Sequence, residues 1–364
     1  MGAKVALAYS GSLDTTICVY YLRAIRGLKV FSFSANLGQA EDLQPLVERA
    51  LQIGAEAAHI ADVREKFAQE YVLPCVRAQA VYEGGYHLFS AISRPLILEE
   101  VVKIAREEGC EYVAHGSRGL GNDMIRFQNG LRALAPDIKA VAPLEEIKLT
   151  APHMDVEYAK KHNIKFEEPT KTLYNMEQNL WGVNIQMPHD RPWPEPPRNT
   201  YVWTVPVSET PAKEEIVDIE FADGNPVKVN GQAMAPVALI EELNRIGGRH
   251  GVGRYDVIEN RIIGRKTREI YEAPAGEILL RAHAALESLV LDKETLHFKP
   301  LLSQKYAELA YEGHWFSPLR GSLDSFFGGL NSRVTGLVRV GLHHGNATIR
   351  SLESPNTLLE PRRP

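Results

Sequence analysis

A polar stretch near the start of the chain joins an apolar run to a helix-like segment. Residues 8–16, with the sequence AYSGSLDTT, directly follow the apolar residues 5–7. Such a joint presents backbone N–H groups and the hydroxyls of Ser10 and Ser12 at a helix N-terminus, where the helix dipole favours an anion such as phosphate. The stretch lacks the lysine of the common P-loop. Two interpretations are open: a nucleotide's phosphates bind here, or Ser12 or Asp14 only caps the helix.

The tetrapeptide Gly-Ser-Leu-Asp of this stretch recurs at residues 321–324. The second copy follows the segment 317–320, SPLR, rather than an apolar strand-like run. It therefore has the capping chemistry without a position at the end of a strand. We predict a turn or a helix cap there, and no site.

Strand-like and helix-like segments alternate through about residue 165. The strand-like runs include KVALAYS, LKVFSFSAN, AEAAHIAD, EYVAHGS and KAVAPLEE, and helices are predicted over TTICVYYLRAIRG, from about Ala40, and over SRPLILEEVVKIAREEG. Nearly unbroken apolar strands alternating with helices predict an α/β fold, a doubly wound parallel sheet covered on both faces. Ligands of such sheets bind beyond the carboxyl ends of the strands, where SGSLDTT, ANLGQAED and HGSRGLGND all fall.

The second part of the chain has a different pattern. Residues 188–211 contain prolines at seven positions, which excludes a regular helix and predicts an arm or linker. Beyond it, EIVDIEFADGNPVKVNG and VRVGLHHGNATIR predict hairpins, and APVALIEELNRIGGRHG predicts a helix. We therefore predict an α/β domain over 1–165 that binds its ligand at the strand ends, and an α+β domain over 166–364.

The composition favours a small-molecule partner in a reducing compartment. The 41 basic and 46 acidic residues include no long basic block, which argues against nucleic acid and anionic membranes. Cys18, Cys75 and Cys110 are widely spaced and predict buried thiols rather than disulfides. No apolar stretch approaches the roughly 20 residues of a membrane span. We expect a soluble, cytoplasmic protein.

Several stretches resemble one family. AYSGSLDTT resembles the AYSGGLDTS signature of the argininosuccinate synthases, which belong to the ATP pyrophosphatases and hold ATP in a modified P-loop. Further stretches match the same family in order: ANLGQAEDL at 35, VYEGGY at 81, SRPL at 93, YVAHGSRGLGNDMIRFQ at 112, LAPDIKAVAP at 134, NLWG at 179, HGVGRYDVIENRIIGRKTREIYEAPAG at 250, KYAELAYEGHWFSP at 305 and RVTGLVRV at 333. The chain is identified as a member of this family.

The resemblance implies an ATP-dependent, AMP-forming ligase of arginine biosynthesis. A ureido carbon is a poor electrophile because two nitrogens donate electron density into its carbonyl. The family therefore adenylates the ureido oxygen of citrulline with release of pyrophosphate, and the aspartate amine then displaces AMP to give argininosuccinate. Positioning and stabilisation of phosphate charge are the main requirements. The implied cofactors are ATP and Mg²⁺, which would neutralise charge developing on pyrophosphate.

The resemblance also implies site residues. Those matched to ATP are Ala8, Tyr9, Ser10, Gly11, Ser12, Leu13, Asp14, Thr15, Thr16, Ala35 and Gly116. Those matched to citrulline are Tyr86, Ala91, Asn122, Arg126, Asn175, Asn184, Glu259 and Tyr271, and those matched to aspartate are Arg118, Asn122 and Asp123. The predicted catalytic residues are Asp14, Asn122 and Asp123.

The predicted roles rest on charge. Asp123 suits an α-ammonium group, and Arg126 with Glu259 suits the two charges of a zwitterion. Asp14 either orients Mg²⁺ or caps its helix. Without the family resemblance, the residue types alone favour another interpretation, in which Arg126 is a surface cation and Glu259 is a solvated strand residue.

The chain departs from the family at ligand-facing positions. Ser12 and Phe89 replace glycines, Arg118 replaces a threonine, Leu120 replaces a lysine, and Asn175 and Asn184 replace serines. The family's C-terminal extension is also missing, so a homo-oligomer is expected but the family's tetramer is in question. Three hypotheses follow: an argininosuccinate synthase, a paralogue with the same chemistry on another amino-acid pair, or a non-catalytic nucleotide-binding protein.

Overall fold

A computed structural model describes residues 2–119, 121–166, 175–186 and 193–360. The helices are α1 (Leu13–Tyr20, continued by a π-helical turn Tyr21–Ile25), α2 (Gln44–Ile53), α3 (Arg64–Phe67, continued by a π-helical turn Ala68–Val72), α4 (Leu73–Ala78), α5 (Phe89–Glu108), α6 (Asn122–Leu134), α7 (Pro143–Glu146), α8 (Pro152–Lys161), α9 (Pro236–Arg249), α10 (Pro274–Val290), α11 (Lys293–Tyr311) and α12 (Pro318–Asn331). Within the described ranges, no helix combines the length and apolarity needed to cross a membrane.

The strands form three sheets. They are β1 (Lys4–Ala8), β2 (Lys29–Asn36), β3 (Ala57–Asp62), β4 (Tyr112–His115), β5 (Lys139–Val141), β6 (Asn175–Asn179), β7 (Gly182–Gln186), β8 (Glu215–Ala222), β9 (Asn225–Val229), β10 (Gln232–Ala233), β11 (Arg254–Asn260), β12 (Lys266–Glu272), β13 (Gly336–His343) and β14 (Asn346–Glu353). Their orders are β3-β2-β1-β4-β5, β11-β12-β7-β6 and β10-β9-β8-β13-β14.

The N-terminal sheet is parallel and covered on both faces, which confirms the predicted fold class. Val5 and Leu7 pack with Ile17 of α1 on one face, while Ala6 packs with Leu98 of α5 on the other. This alternation follows from the period of two along a strand. The strand order reverses at β1, which lies between β2 and β4, so the ligand-binding switch point of such folds falls at the end of β1.

The C-terminal part contains antiparallel sheets, and its predicted elements are confirmed. The hairpin of β8 and β9 turns at Asp223 and Gly224, which both have positive φ, at 48° and 75°. The second predicted hairpin is β13–β14, and the predicted helix is α9. The antiparallel connections explain why this part shows alternating rather than unbroken apolar runs.

The described part of the proline-rich arm, residues 193–211, covers one face of the sheet β11-β12-β7-β6. Tyr201 and Trp203 pack on that face against Val183, Ile185 and Ile270. The buried Glu272 carboxylate accepts N–H groups from Val202 and Thr204, each at 2.8 Å. Residues 193–211 contain short 3₁₀ turns as their only helical structure, and they do not cover the opposite face of the sheet.

Three predictions from the sequence need correction: the start of two helices and the structure of the second tetrapeptide. The helix expected from about Ala40 begins at Gln44, whose N–H is bonded to the Asp42 carboxylate at 3.0 Å. The helix expected from Ser93 begins at Phe89. The second Gly-Ser-Leu-Asp is neither a turn nor a cap, because residues 321–324 lie inside α12 and Ser317 caps that helix.

The two predicted domains share a core. Buried residues between Phe67 and Leu96 belong to the same apolar cluster as residues of α10 and α11. Helix α5 also packs on the parallel sheet, so it connects the strand ends of the first part with the sheets of the second. The boundary at residue 165 stays a prediction.

Candidate active site

The loop after β1 forms one side of the site. Gly11 has φ +75°, and a Cβ atom there would overlap the Leu46 side chain, so only glycine fits. The Ser12 hydroxyl caps α1 by accepting the Thr15 N–H at 3.5 Å. Arg49 donates to the Gly11 carbonyl at 2.8 Å. This arrangement keeps the N-terminal end of α1 at the switch point, where it can bind an anion.

The ends of β2 and β4 lie beside this loop. Ala8 pairs with Phe33 in β2 and with His115 in β4, so Ala35 and Gly116 follow at the same edge. A Cβ atom at Gly116 would be 2.6 Å from the Thr15 side chain. The loop after β4 therefore packs directly on the first turn of α1. We call the set Ser10, Gly11, Ser12, Asp14, Ala35 and Gly116 the nucleotide edge.

Arg118 connects this edge to α8. Its guanidinium lies 2.5 Å from the Asp14 carboxylate and 2.8 Å from that of Asp155. Burial raises the pKa of Asp155 to about 6, against the lowering effect of Arg118 and with a further rise from Asp14. The predicted aspartate contact of Arg118 stays a prediction; in this structure the side chain holds the loop onto α1 and α8.

The first turn of α6 carries Asn122 and Asp123. Asp123 pairs with Arg94 at 2.8 Å and with Arg126 at 3.0 Å. Burial favours its neutral form, but the two guanidinium groups outweigh burial and hold the pKa of Asp123 well below its usual range. Asn122 is buried and donates to the Tyr311 hydroxyl at 2.7 Å. The predicted pair is thus held by Arg94 and Tyr311, which are distant in sequence, and by Arg126, which lies one turn along α6.

Arg126 and Glu259 are both buried, which excludes the surface alternatives. Arg126 donates to the Tyr311 carbonyl at 2.8 Å and lies over its ring. Glu259 is 3% exposed and accepts hydrogen bonds from the hydroxyls of Tyr271 and Tyr311. These contacts join α6, α11 and the sheet of β11 and β12 at one place.

Tyr86 and Phe89 complete the aromatic wall of this region. The Tyr86 ring stacks on Tyr271 at 4.8 Å, and its hydroxyl accepts the N–H groups of Ser90 and Ala91 at 3.1 and 3.0 Å. Phe89 is fully buried and packs edge-on against Tyr86 at 5.0 Å. Phe89 therefore fills the core behind the tyrosines.

The four-stranded sheet contributes a polar face. Paired residues of an antiparallel sheet point to the same side, and Glu177 pairs with Asn184, which pairs with Tyr271. Side chains on one face of a strand repeat every two residues, so Glu269, which lies two residues before Tyr271, is on this side. Glu259 is also on this side, because its paired residue, Thr267, lies two residues before Glu269. We call the set Glu177, Asn184, Glu259, Glu269 and Tyr271 the acceptor face. Leu120 and the side chain of Asn175 lie outside the described residues.

Four contributors were not singled out from the sequence. Arg94, Glu177, Glu269 and Tyr311 all belong to or adjoin the site. Arg94, Glu269 and Tyr311 lie within stretches that match the family, yet their residue types alone gave no signal. Glu177 bonds Arg94 at 2.8 Å, a pairing that no sequence spacing predicts.

These features define a class of protein: an α/β domain with a parallel sheet and a switch point at the end of β1 is joined to a second part, whose four-stranded antiparallel sheet carries a cluster of polar side chains. The family model described as "Arginosuccinate synthase N-terminal HUP domain" matches residues 4–165, and the "Arginosuccinate synthase C-terminal domain" matches 174–363. The chain belongs to the argininosuccinate synthase family.

Individual relatives agree with the family assignment. The argininosuccinate synthase of Caldanaerobacter subterraneus subsp. tengcongensis is 45% identical over 98% of this chain and 87% of its own length. Those of Pelotomaculum thermopropionicum and Acaryochloris marina are 44% and 43% identical, each over 98% of this chain and 90% of their own length. Among the three hypotheses, an argininosuccinate synthase is favoured over a paralogue and over a non-catalytic protein.

Proposed function

We propose that this chain condenses citrulline with aspartate at the expense of ATP, with ATP on the nucleotide edge and both amino acids at the acceptor face. The observation that carries this proposal is the segment 116–123. Its Gly116 end packs on Thr15 of α1, while its Asn122 end bonds Tyr311 beside Glu259. One short segment would thus join the end of α1 that binds phosphate to the side chains that hold the amino acids.

The first step forms a phosphorus–oxygen bond. The ureido oxygen of citrulline attacks the α-phosphorus of ATP, and the bond to the bridging oxygen breaks as pyrophosphate leaves. The N-terminal end of α1 and the hydroxyls of Ser10 and Ser12 face the phosphates and stabilise their charge. Arg126 and Glu259 would orient the zwitterionic end of citrulline, which fixes the ureido group for attack.

The second step forms a carbon–nitrogen bond. The aspartate nitrogen attacks the activated carbon, the carbon–oxygen bond breaks, and AMP leaves with the former ureido oxygen. The nitrogen enters as an ammonium with three protons and ends with one, so two protons must be released. Asn122 and Asp123 would hold the amino acid at this point, with Asp123 kept ionised by its two arginines.

Mg²⁺ fits the nucleotide edge. Proteins usually hold it through one or two carboxylates together with substrate phosphates, and Asp14 presents a carboxylate that is 38% exposed. Within the described ranges no cluster of three or more acidic, histidine or cysteine side chains could hold a metal. Asp14, which also pairs with Arg118, and the ATP phosphates would provide the ligands, and the bound ion would neutralise charge on pyrophosphate.

Isotope transfer tests this proposal directly. Citrulline labelled with ¹⁸O in the ureido group is incubated with Mg-ATP, with and without aspartate, and AMP and pyrophosphate are analysed by mass spectrometry. We expect the label in AMP, and argininosuccinate only when aspartate is present. Unlabelled AMP, or AMP formed equally well without citrulline, would contradict the proposed chemistry.

We further propose a cytoplasmic location and a homo-oligomeric state. Three cysteines that are buried and free support a reducing compartment. Light scattering of the purified chain tests the oligomeric state, and a monomer at micromolar concentration would contradict it.

A further inference from the structure

The loop after β1 has no positively charged side chain of its own. Residues 8–16 contain neither lysine nor arginine, and Asp14 adds a carboxylate to them. When the bond between the α-phosphorus and the bridging oxygen of ATP breaks, the electron pair goes to pyrophosphate, where negative charge develops. A preorganised cation beside that oxygen stabilises the charge. Any cationic side chain for this purpose must come from a neighbouring element.

Arg118 brings a guanidinium group to the start of α1. Its Nη1 and Nη2 atoms donate to the two oxygens of Asp155 at 3.1 and 2.8 Å, and Nη2 also lies 2.5 Å from the Asp14 carboxylate. The Asp155 side chain is 2% exposed, whereas that of Asp14 is 38% exposed. A ligand can therefore reach Asp14 while the pair of Arg118 with Asp155 stays intact.

The two carboxylates hold the guanidinium in different ways. The planar fork of arginine matches a carboxylate or a phosphate through two parallel N–H groups. Asp155 occupies that fork, whereas Asp14 contacts only Nη2, which already donates to Asp155. Asp14 is therefore the partner that a phosphate oxygen can replace. The proposed function also assigns Asp14 to Mg²⁺, and a carboxylate that turns to the ion leaves an N–H group of Arg118 free.

The position of the guanidinium indicates which phosphates it can reach. Apolar residues of α1 and α8 pack on one face of the parallel sheet, and those of α5 and α6 pack on the other. Arg118 contacts α1 and α8, whereas Arg94 and Asp123 belong to α5 and α6. The amino acids therefore approach the α-phosphorus from the side of α6. The phosphates on the side of α1 and α8 are then those that leave.

We propose that Arg118 binds the pyrophosphate part of ATP. As the phosphates reach the start of α1, Nη2 exchanges the Asp14 carboxylate for a phosphate oxygen, while Asp155 keeps the guanidinium in place. Arg118 then stabilises the charge that develops on the leaving pyrophosphate. The proposal rests on the proposed function for the place of ATP, and it assigns Arg118 to the nucleotide rather than to aspartate.

The test measures binding without turnover. Wild type and Arg118→Gln, which removes the charge, are titrated in a calorimeter with pyrophosphate in the presence of Mg²⁺ and, separately, with AMP. We expect Kd for pyrophosphate to rise on the order of ten- to a hundredfold in the variant, the range for losing a charged hydrogen bond, and Kd for AMP to change by less than about twofold. Arg118→Lys keeps the charge and should recover part of the lost affinity.

Arg268→Gln is the matched control. Arg268 also pairs bidentately with an aspartate, Asp256, at 2.7 and 2.6 Å, but it lies on the sheet face that the arm covers and donates to the Pro194 carbonyl. We expect this variant to lower thermal stability and to leave pyrophosphate affinity unchanged. If both variants weaken pyrophosphate binding equally, or if Arg118→Gln weakens pyrophosphate and AMP binding equally, Arg118 acts only through stability, which overturns the proposal.

The KM for aspartate separates the nucleotide role from an aspartate contact. A higher KM for aspartate in Arg118→Gln, with pyrophosphate affinity unchanged, would assign Arg118 to aspartate and overturn the proposal. If Arg118→Gln does not fold, the double variant with Asp155→Asn takes its place with the same readouts, because it also removes the unpaired buried carboxylate.

The titrations also separate this proposal from the proposed function. If wild type binds pyrophosphate but makes no argininosuccinate, the proposed reaction fails, and the comparison of wild type with Arg118→Gln still decides the role of Arg118. If wild type does not bind pyrophosphate at all, the proposal for Arg118 is overturned.

Discussion

The nucleotide edge and the acceptor face are built in different ways. The nucleotide edge comes largely from one stretch of nine residues and the ends of two adjacent strands. The groups that it offers to an anion are mainly the backbone N–H groups at the start of α1. The acceptor face and the residues beside it depend on side chains that are remote in sequence. Asn122, for example, bonds Ile262 and Tyr311, which are 140 and 189 positions away. A local backbone site is visible in sequence spacing, whereas a site made by side-chain pairing requires the fold.

The two regions also differ in electrostatics. At the nucleotide edge, Asp14 and the hydroxyls of Ser10 and Ser12 are partly exposed and can meet an incoming ligand. Beside the acceptor face, the Asp123 carboxylate is 29% exposed and is already neutralised by two guanidinium groups, those of Arg94 and the buried Arg126. Substitutions should therefore damage both folding and binding at the acceptor face, but mainly binding at the nucleotide edge.

Asp123→Asn should have the largest effect. It removes the carboxylate that Arg94 and Arg126 share, although Arg94 keeps Glu177. Losing one partner of a buried ion pair costs about 2–5 kcal/mol. We expect kcat/KM for aspartate to fall on the order of 100-fold or more, with lower stability in urea. The control is Asp137→Asn, because Asp137 pairs with Arg106 at the surface and is 62% exposed. If both variants changed kcat/KM and stability by equally small amounts, the expected sensitivity of the acceptor face to loss of a charge would be contradicted.

Asp14→Asn should reduce turnover with little loss of stability. If Asp14 organises Mg²⁺ and the phosphates, pyrophosphate release should fall on the order of 100-fold, as for loss of one preorganised charge-stabilising group. Asp324→Asn changes the same residue of the second tetrapeptide, where Asp324 bonds Tyr306 and Arg320, and should leave release unchanged. Near-normal turnover of the Asp14 variant would leave this residue only its ion pair with Arg118, because Ser12 and not Asp14 caps α1.

Arg118→Thr should destabilise the loop that joins the two regions. Asp155, which is 1% exposed, loses its paired cation, and we expect the free energy of unfolding to fall by about 1–3 kcal/mol. Without Arg118, the pKa of folded Asp155 should rise further above its ordinary value. Asp155 therefore destabilises both chains equally up to about pH 6, and the loss caused by the substitution should grow as pH rises past 6. Urea unfolding at pH 5 and pH 8 measures this difference.

Two further readouts define the role of Arg118. Adding Asp155→Asn to the Arg118 variant should recover much of the stability, because an amide costs less to bury than a carboxylate. A lower KM for aspartate in the single variant would mean that Arg118 obstructs that substrate. A higher KM would mean that Arg118 contributes to binding it.

The sequence predicted the fold class and the strand ends, because these depend on local periodicity and on stretches that resemble a family. The ligand-facing positions that it names stay a prediction. It did not predict that Arg94 connects Asp123 with Glu177, or that Arg118 pairs with Asp14 and Asp155. Such pairs join separate elements and have no signature in spacing. The second Gly-Ser-Leu-Asp was mistaken for a turn or cap because glycine and serine are typical of both, whereas Ser317 had already capped that helix.

The two copies of the tetrapeptide provide the smallest and most closely matched comparison. Gly11→Ala places a Cβ atom against Leu46 at φ +75°, and a side chain at positive φ costs about 1–2 kcal/mol. Gly321→Ala adds a Cβ atom to α12 where no other atom lies within 4 Å, and alanine stabilises a helix interior by about 0.8–1 kcal/mol relative to glycine. We therefore expect the first change to lower the melting temperature and weaken ATP binding, and the second to raise the melting temperature with ATP binding unchanged. The same substitution in the same four residues should thus have opposite effects. The place of the tetrapeptide in the fold, after a strand or inside a helix, determines its backbone conformation, and its own sequence does not. Equal effects in differential scanning calorimetry would mean that the loop after β1 tolerates a side chain.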